Sequence, residues 1–347
     1  MTTTIAPVPP HTASPKSAIN SASAPSLWVK LGRMQTRYPL VQGVIFVVAF
    51  GYGALAMPGF ASLPSIRSML VLASLVGIAA IGQTFVVLLG GFDLSVSGFI
   101  VAGALMVTQF ALRFHVAFGW AFVLMLAGST VLGGLTGYIC HRFRAQPIIV
   151  TLAMGSIAVG LVQSQIGGNL GGSAPLWLSD LTSPIGTTFG LPIPPIVVIW
   201  VVLMLLLAVV IYRTTWGRRL MATGANPRAA EYSLIRTRKV WIMVFAFSAV
   251  AASFAGVLLA GYAGSVDQTI GDPYLFQSLA AVIVGGTAFG GPGDYWRTAG
   301  GALLLTVLTV VLLGLGLTGA DQNILYGIVI LLAMTLYGRE RRIRDRV

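Results

Sequence analysis

Charged residues along this chain gather in short gaps between long apolar stretches. Stretches without Asp, Glu, Lys or Arg run roughly over 40–58, 68–90, 94–112, 116–139, 146–166, 193–212, 241–262, 274–290, 298–317 and 322–338. A bilayer core takes about 20 apolar residues per helix. The pattern therefore predicts an all-α protein, a polytopic transmembrane helix bundle of about ten spans. The stretches 274–290 and 322–338 stand near the lower length limit. The pair 68–90 and 94–112 is parted only by a Gly-Gly-Phe-Asp break, so a broken or re-entrant helix is an open alternative there.

Composition supports the membrane reading. Of 347 residues, 56% are hydrophobic and 9% charged, and the mean hydropathy is +0.88. A soluble domain carries roughly 25% charged residues, and a globule with so few would expose one continuous apolar patch. This excludes a cytosolic enzyme, a disordered chain and a nucleic-acid-binding domain. The single cysteine, Cys140, excludes an internal disulfide framework and a cysteine-rich metal site.

The net charge of +12 follows topology. With the N-terminus in the cytoplasm and spans alternating, Lys16, Lys30, Arg33, Arg37, Arg142, Arg144, the 213–239 cluster, Arg297 and the C-terminal arginines fall inside. Arg67 and Arg113 fall outside. An even number of spans places both basic ends in the cytoplasm, as the positive-inside rule asks. Residues 1–38 read as a disordered cytoplasmic N-terminal tail, with 1–26 rich in Ala, Ser, Thr and Pro. Residues 1–26 lack the arginines and amphipathic period of a transit peptide. Residues 39–338 read as the transmembrane domain, and 339–347 as a basic cytoplasmic tail.

Several chemistries lack their residues. No predicted span holds an ionisable side chain, which weakens a proton-coupled mechanism, although backbone carbonyls could still bind sodium. A phosphate-binding loop needs Gly-x-x-x-x-Gly-Lys-Ser/Thr, and Lys16, Lys30 and Lys239 all lack that context. His115 and His141 stand singly at span ends and read as interfacial residues. No enzyme, metal or bound cofactor is expected.

Three segments are more informative. In Gly90-Gly91-Phe92-Asp93-Leu94-Ser95-Val96-Ser97, two glycines can end a helix and Asp93 can cap the next. The break could also re-aim polar groups near a conduction path. In the inside loop, Asn226-Pro227 can start a short helix over 227–234, bounded by basic residues. Such a helix suits docking into a groove of another protein or simple anchoring. The segment Ala280 to Gly293 combines small residues for close helix packing with a glycine-proline turn. The spacings Gly133–Gly137 and Gly286–Gly290 also suit helix packing in lipid.

In this order the segments resemble the permease subunit of bacterial sugar ABC importers, the ribose permease-like family. Gly91-Phe92-Asp93-Leu94-Ser95-Val96-Ser97-Gly98 matches that family's Gly-x-Asp-Leu-Ser-Val-Gly-Ser with the last two residues exchanged. Gly217, Ala222, Gly224 and Asn226 match its Gly-x-x-x-x-Ala-x-Gly-x-Asn loop. Ala280 or Ala281, Val282, Gly285, Gly286, Thr287, Gly290 and Gly291 match its Ala-x-Val-x-Gly-Gly-Thr-x-x-x-Gly-Gly. The resemblance spans about residues 68–338.

The resemblance implies a bacterial inner-membrane subunit paired with a second permease copy or a paralogue. It implies ATPase subunits at the cytoplasmic face, which use the ATP, and an extracytoplasmic binding protein that delivers a sugar. Gly217, Ala222, Gly224, Asn226 and Glu231 would then form the ATPase-coupling loop. A neutral sugar needs hydrogen bonds rather than counter-ions, so Gln83, Asp93, Ser95, Gln163, Gln165 and Gln277 are candidates for the translocation path. Gly285, Gly286, Gly290 and Gly291 are candidates for helix packing. A branched-chain amino-acid permease and a stand-alone secondary transporter are the competing readings.

Overall fold

The structure, a computed structural model, describes residues 40–167, 171–291 and 293–344. The tail expected over 1–38 lies outside them. The described residues are helical, with two isolated β-bridges, Ser173–Ser265 and Thr188–Leu191, and no β-strand. In chain order the helices are α1 (Leu40–Ala56), α2 (Leu63–Leu89), α3 (Val96–Leu105), α4 (Phe118–Phe143), α5 (Pro147–Ile166), α6 (Leu176–Thr182), α7 (Pro195–Arg213), α8 (Thr215–Ala225), α9 (Pro227–Tyr232), α10 (Thr237–Ala263), α11 (Asp272–Val284), α12 (Tyr295–Gly314) and α13 (Gly319–Arg344). A π-helical turn, Met106–Phe110, carries α3 on to Arg113.

Seven of these are long and apolar enough to cross a membrane: α2, α3 with its extension, α4, α5, α7, α10 and α12. The stretch 274–290 does not form a full span. Its helix, α11, stops at Val284 after 13 residues, about 20 Å at the usual rise and short of a ~30 Å bilayer core. The cause is local: Gly286 and Gly290 both adopt positive φ (88° and 58°), which ends the helical hydrogen-bond ladder. A glycine-rich turn replaces the last third of the expected span.

Helix α2 is the axis of the bundle. Every residue from Ala73 to Leu89 is buried, as expected of a helix that is apolar all round. Helix α10 is buried along much of its length beside it. Lipid tails supply no hydrophobic drive for helix association, so close backbone approach matters more. Glycines provide it. A Cβ on Gly103 of α3 would collide with the Ser253 carbonyl of α10, and one on Gly256 with the Ile100 carbonyl of α3. Gly133 and Gly137 bring α4 against the Phe245 and Trp241 carbonyls of α10, as their spacing suggests. Cys140, near the end of α4, is buried.

Hydroxyl pairs supplement this packing. Thr84 bonds Thr298 at 2.9 Å, and Ser129 bonds Ser253 at 2.7 Å. A longer chain joins three helices: Trp200 Nε1 donates to the Tyr295 hydroxyl (2.9 Å), which donates to the Gly77 carbonyl (2.7 Å). Tyr295→Phe keeps the ring but leaves the buried Trp200 N–H without its acceptor. We expect a loss of about 1–3 kcal/mol, seen as a lower thermal midpoint in detergent. An unchanged midpoint would mean that the hydroxyl contributes little.

Candidate functional site: the C-terminal end of the central helix

The three motif segments converge on the C-terminal end of α2. Gly90 closes that helix in the left-handed region (φ 89°), and its neighbour Gly91 donates its N–H to the Val86 carbonyl. The chain therefore doubles back, and α3 begins alongside the last turns of α2. Asp93, in this reversal, is 2% exposed. The sequence gap that holds it is folded into the protein.

Asp93 does not cap α3 from the side-chain position expected. The N-cap of α3 is Ser95, without a side-chain capping bond. Asp93 Oδ1 instead accepts from the Ser95 backbone N–H (2.9 Å) and from the Ser95 hydroxyl. Its Oδ2 accepts from the Ser248 hydroxyl of α10 at 2.6 Å. Ser248 is also the residue against which Gly82 of α2 closes. Gly82 precedes Gly90 by eight residues, about 12 Å of helix. The carboxylate thus locks the start of α3 about two turns up the central helix. Leu94 N–H adds a bond to Thr151 Oγ1 of α5 at 3.0 Å.

The glycine turn after α11 closes the same end. Gly290 donates its N–H to the Val87 carbonyl of α2 at 2.9 Å, and the Phe289 and Phe92 rings lie 4.6 Å apart. Gly285 sits tightly against the Arg297 carbonyl of α12. Gly286 and Gly290 act through their turn geometry, and Gly291 is half-buried beside Ala288. Asp294 then caps α12, accepting from Arg297 N–H (3.0 Å) and from the Tyr212 hydroxyl of α7 (2.8 Å).

Helices α8 and α9 complete the arrangement. Thr214 caps α8 through Gly217 N–H (3.2 Å), and Gly217 packs on the Ile211 carbonyl at the end of α7. Trp216 meets the ring of Phe85 on α2 at 5.4 Å. Gly224 is buried with its Cα against the Leu88 carbonyl, and Ala222 is half-buried. Asn226 closes α8 and opens α9: its N–H bonds the Ala222 carbonyl (3.1 Å), and its side chain accepts from Ala229 N–H (3.0 Å). Pro227 occupies the first helical position, as predicted, and α9 ends at Tyr232 rather than 234. Tyr232 and Leu234 are 88% and 92% exposed.

Glu231 is exposed as a residue but held as an acceptor. Thr237 Oγ1 donates to its Oε1 at 2.9 Å, and His141 Nε2 of α4 lies 3.0 Å from the same hydroxyl. With Thr237 donating to Glu231, His141 contributes the Nε2–H. This three-residue link joins α9, α10 and α4. Sequence reading placed His141 at an interface and missed both Thr237 and Ser248, because neither belongs to a motif.

The path candidates separate. Asp93 and Ser95 are hydrogen-bonded, and Gln83 is buried on α2, where its Oε1 finds no partner among the described residues. Gln163 is half-buried and Gln165 exposed on α5, and Gln277 is half-buried on α11. Among the described residues no hydrogen bond draws those three to the Asp93 cluster. Among the described residues no three His, Cys, Asp or Glu side chains gather as a metal site.

Residues 65–334 match the family described as branched-chain amino acid transport system / permease component. Curated relatives include a ribose import permease protein of Haemophilus influenzae, 30% identical over 298 residues, covering 84% of this chain and 90% of the relative. A fructose import permease protein of Rhizobium meliloti is 30% identical, covering 86% and 84%. A probable ABC transporter permease protein of Escherichia coli is 30% identical, covering 88% and 92%. No solved structure matches. A buried helical axis, a glycine-seated surface loop and a family match over most of its length together make this multi-pass membrane protein a member of that permease-component family.

Proposed function

We propose that the chain is the permease subunit of an ATP-driven sugar importer in the bacterial inner membrane. It uses no ATP itself. ATPase subunits dock on α8 and α9 at the cytoplasmic face, a binding protein delivers a monosaccharide outside, and a second permease copy or a paralogue completes the pathway. The relatives' names support the sugar over a branched-chain amino acid, because import permeases named for ribose and fructose align over more than four-fifths of this chain.

The coupling role rests on one observation: α8 is seated through Gly224 on the last turn of the most buried helix, and Asn226 joins it directly to the exposed helix α9. Force applied there reaches α2 without passing through a flexible linker. Both termini are assigned to the cytoplasm, with α1, α11 and α13 supplementing the seven long spans. Arg67, in the first turn of α2, donates to the Gly186 carbonyl of the 167–192 loop. Arg67 and Leu88 are 21 residues apart on one helix, about 32 Å, so the turn at Gly186 and the seat of α8 on Leu88 lie about a membrane thickness apart. Gln83, buried on α2 with an Oε1 that finds no partner among the described residues, is the path residue that this arrangement favours.

The test is reconstitution with the ATPase and binding protein. Glu231→Gln and Asn226→Ala are expected to cut ribose or fructose uptake per ATP hydrolysed by about tenfold while membrane insertion and ATPase activity persist. Normal coupling in the double variant would remove the docking role. Ion-driven uptake by the chain alone would replace the importer reading with a secondary transporter.

A further inference from the structure

At the outer end of the bundle, a cavity of about 590 Å³ opens between α6, the 183–187 turn and the first residue of α7. Its volume falls in the range of small-molecule sites. The lining includes Trp177, Asp180, Ser183, Ile185, Thr187 and Pro195. Three features give it a recognisable chemistry.

The first is an aromatic surface. Trp177 is 52% exposed, yet its ring is fixed by an edge-to-face contact with Phe118 at 4.8 Å. The second is a free acceptor. Asp180 follows three residues later on α6, which places it on the same helix face. Its carboxylate makes no hydrogen bond or ion pair among the described residues, so both oxygens are available. The third is a set of hydroxyls: Ser183 Oγ accepts only from Ile185 N–H (3.2 Å), so its own O–H has no acceptor, and Thr187 adds a second. No lysine or arginine lines the cavity, and the Arg67 guanidinium donates to the Gly186 carbonyl.

Arg67 is engaged with the carbonyl of Gly186, a lining residue, and among the described residues no cation pairs with the Asp180 carboxylate; left uncompensated, that charge disfavours anions. It favours a neutral ligand with adjacent O–H donors. A half-exposed indole favours a ligand with an apolar C–H face. A sugar ring presents both. We propose that this cavity is a receiving subsite that holds a neutral sugar between its release from the delivery protein and its entry into the bundle. The proposal rests on the sugar-importer reading and adds a site to it: Trp177 stacks on the ring, and Asp180 accepts from two neighbouring hydroxyls.

The test uses the full chain in lipid nanodiscs with D-ribose and D-fructose as probes, read by saturation-transfer NMR. At least one sugar is expected to bind wild type through its ring protons. Trp177→Ala and Asp180→Asn are expected to weaken that binding about tenfold each, and Phe189→Ala, 96% exposed and outside the lining, to leave it unchanged. Silence of wild type toward both sugars, or equal binding in the two cavity variants, overturns the subsite. So does a loss of affinity for the binding protein with the sugar signal intact, which would make the cavity a protein-docking surface. Uptake by the assembled importer is measured alongside. Binding without uptake of any sugar sinks the importer reading and leaves the cavity standing; uptake with unaltered variants sinks the cavity alone.

Discussion

Gly224→Val is expected to abolish coupled transport while leaving the helix bundle folded. The glycine has no space for a side chain: a Cβ would press into the Leu88 carbonyl oxygen, a backbone atom at the last turn of α2. That carbonyl cannot rotate away without disturbing the helix end that Gly90 and Gly290 also hold. The strain is relieved by displacing α8, a short surface helix, rather than α2. Overpacking of this kind costs about 1–3 kcal/mol, enough to shift the seating of α8 and α9 by roughly 5- to 150-fold. Uptake in the reconstituted assembly should fall toward background, with near-normal thermal stability of the permease. Full uptake by Gly224→Val would show that the seat is not needed. Gly224→Ala should fall between the two.

The second large effect is expected from Asp93→Ala. The carboxylate accepts from two hydroxyls and one backbone N–H, all buried. Removing it leaves Ser95 and Ser248 without acceptors in a site closed to water. Each stranded donor costs about 1–3 kcal/mol, so the start of α3 should detach from α10. The measurement is a thermal midpoint in detergent together with proteolysis near Gly90. A drop of several degrees or more is expected, with new cleavage in the 90–95 reversal. Asp93→Asn retains an acceptor and should be milder. If Asp93→Ala melts like wild type, Asp93 does not fasten the break.

Much of the architecture was legible in the sequence. Charges mark the gaps because an ionised group in hydrocarbon is costly, and each charge-free stretch holds a helix, that of 274–290 only as far as Val284. The Asn226-Pro227 start of α9 was legible too, since a cap and a first-turn proline act within four residues. The length of α11 was not. Charge absence cannot distinguish a helix from an apolar turn, and Gly286 and Gly290 converted one into the other.

The candidate site was legible as motifs but not as contacts. Asp93 was visible as a polar residue at a break, yet its partner Ser248 lies 155 positions away. Trp200 and Tyr295 are 95 positions apart. The His141–Thr237–Glu231 link joins three helices through Thr237, which belongs to no motif. Such pairings are fixed by how α2, α4 and α10 cross, which one-dimensional spacing does not encode. The glycines were the best guides, because a residue without a side chain marks where another backbone comes close.

Cys140 is the sole thiol of the chain and lies shielded within α4. Maleimide or nitroxide reagents will therefore meet little native background. A cysteine introduced at Leu234 on one face and another at Phe189 on the other, 92% and 96% exposed, would report the distance between the two loops through a transport cycle by pulsed spin resonance or fluorescence transfer.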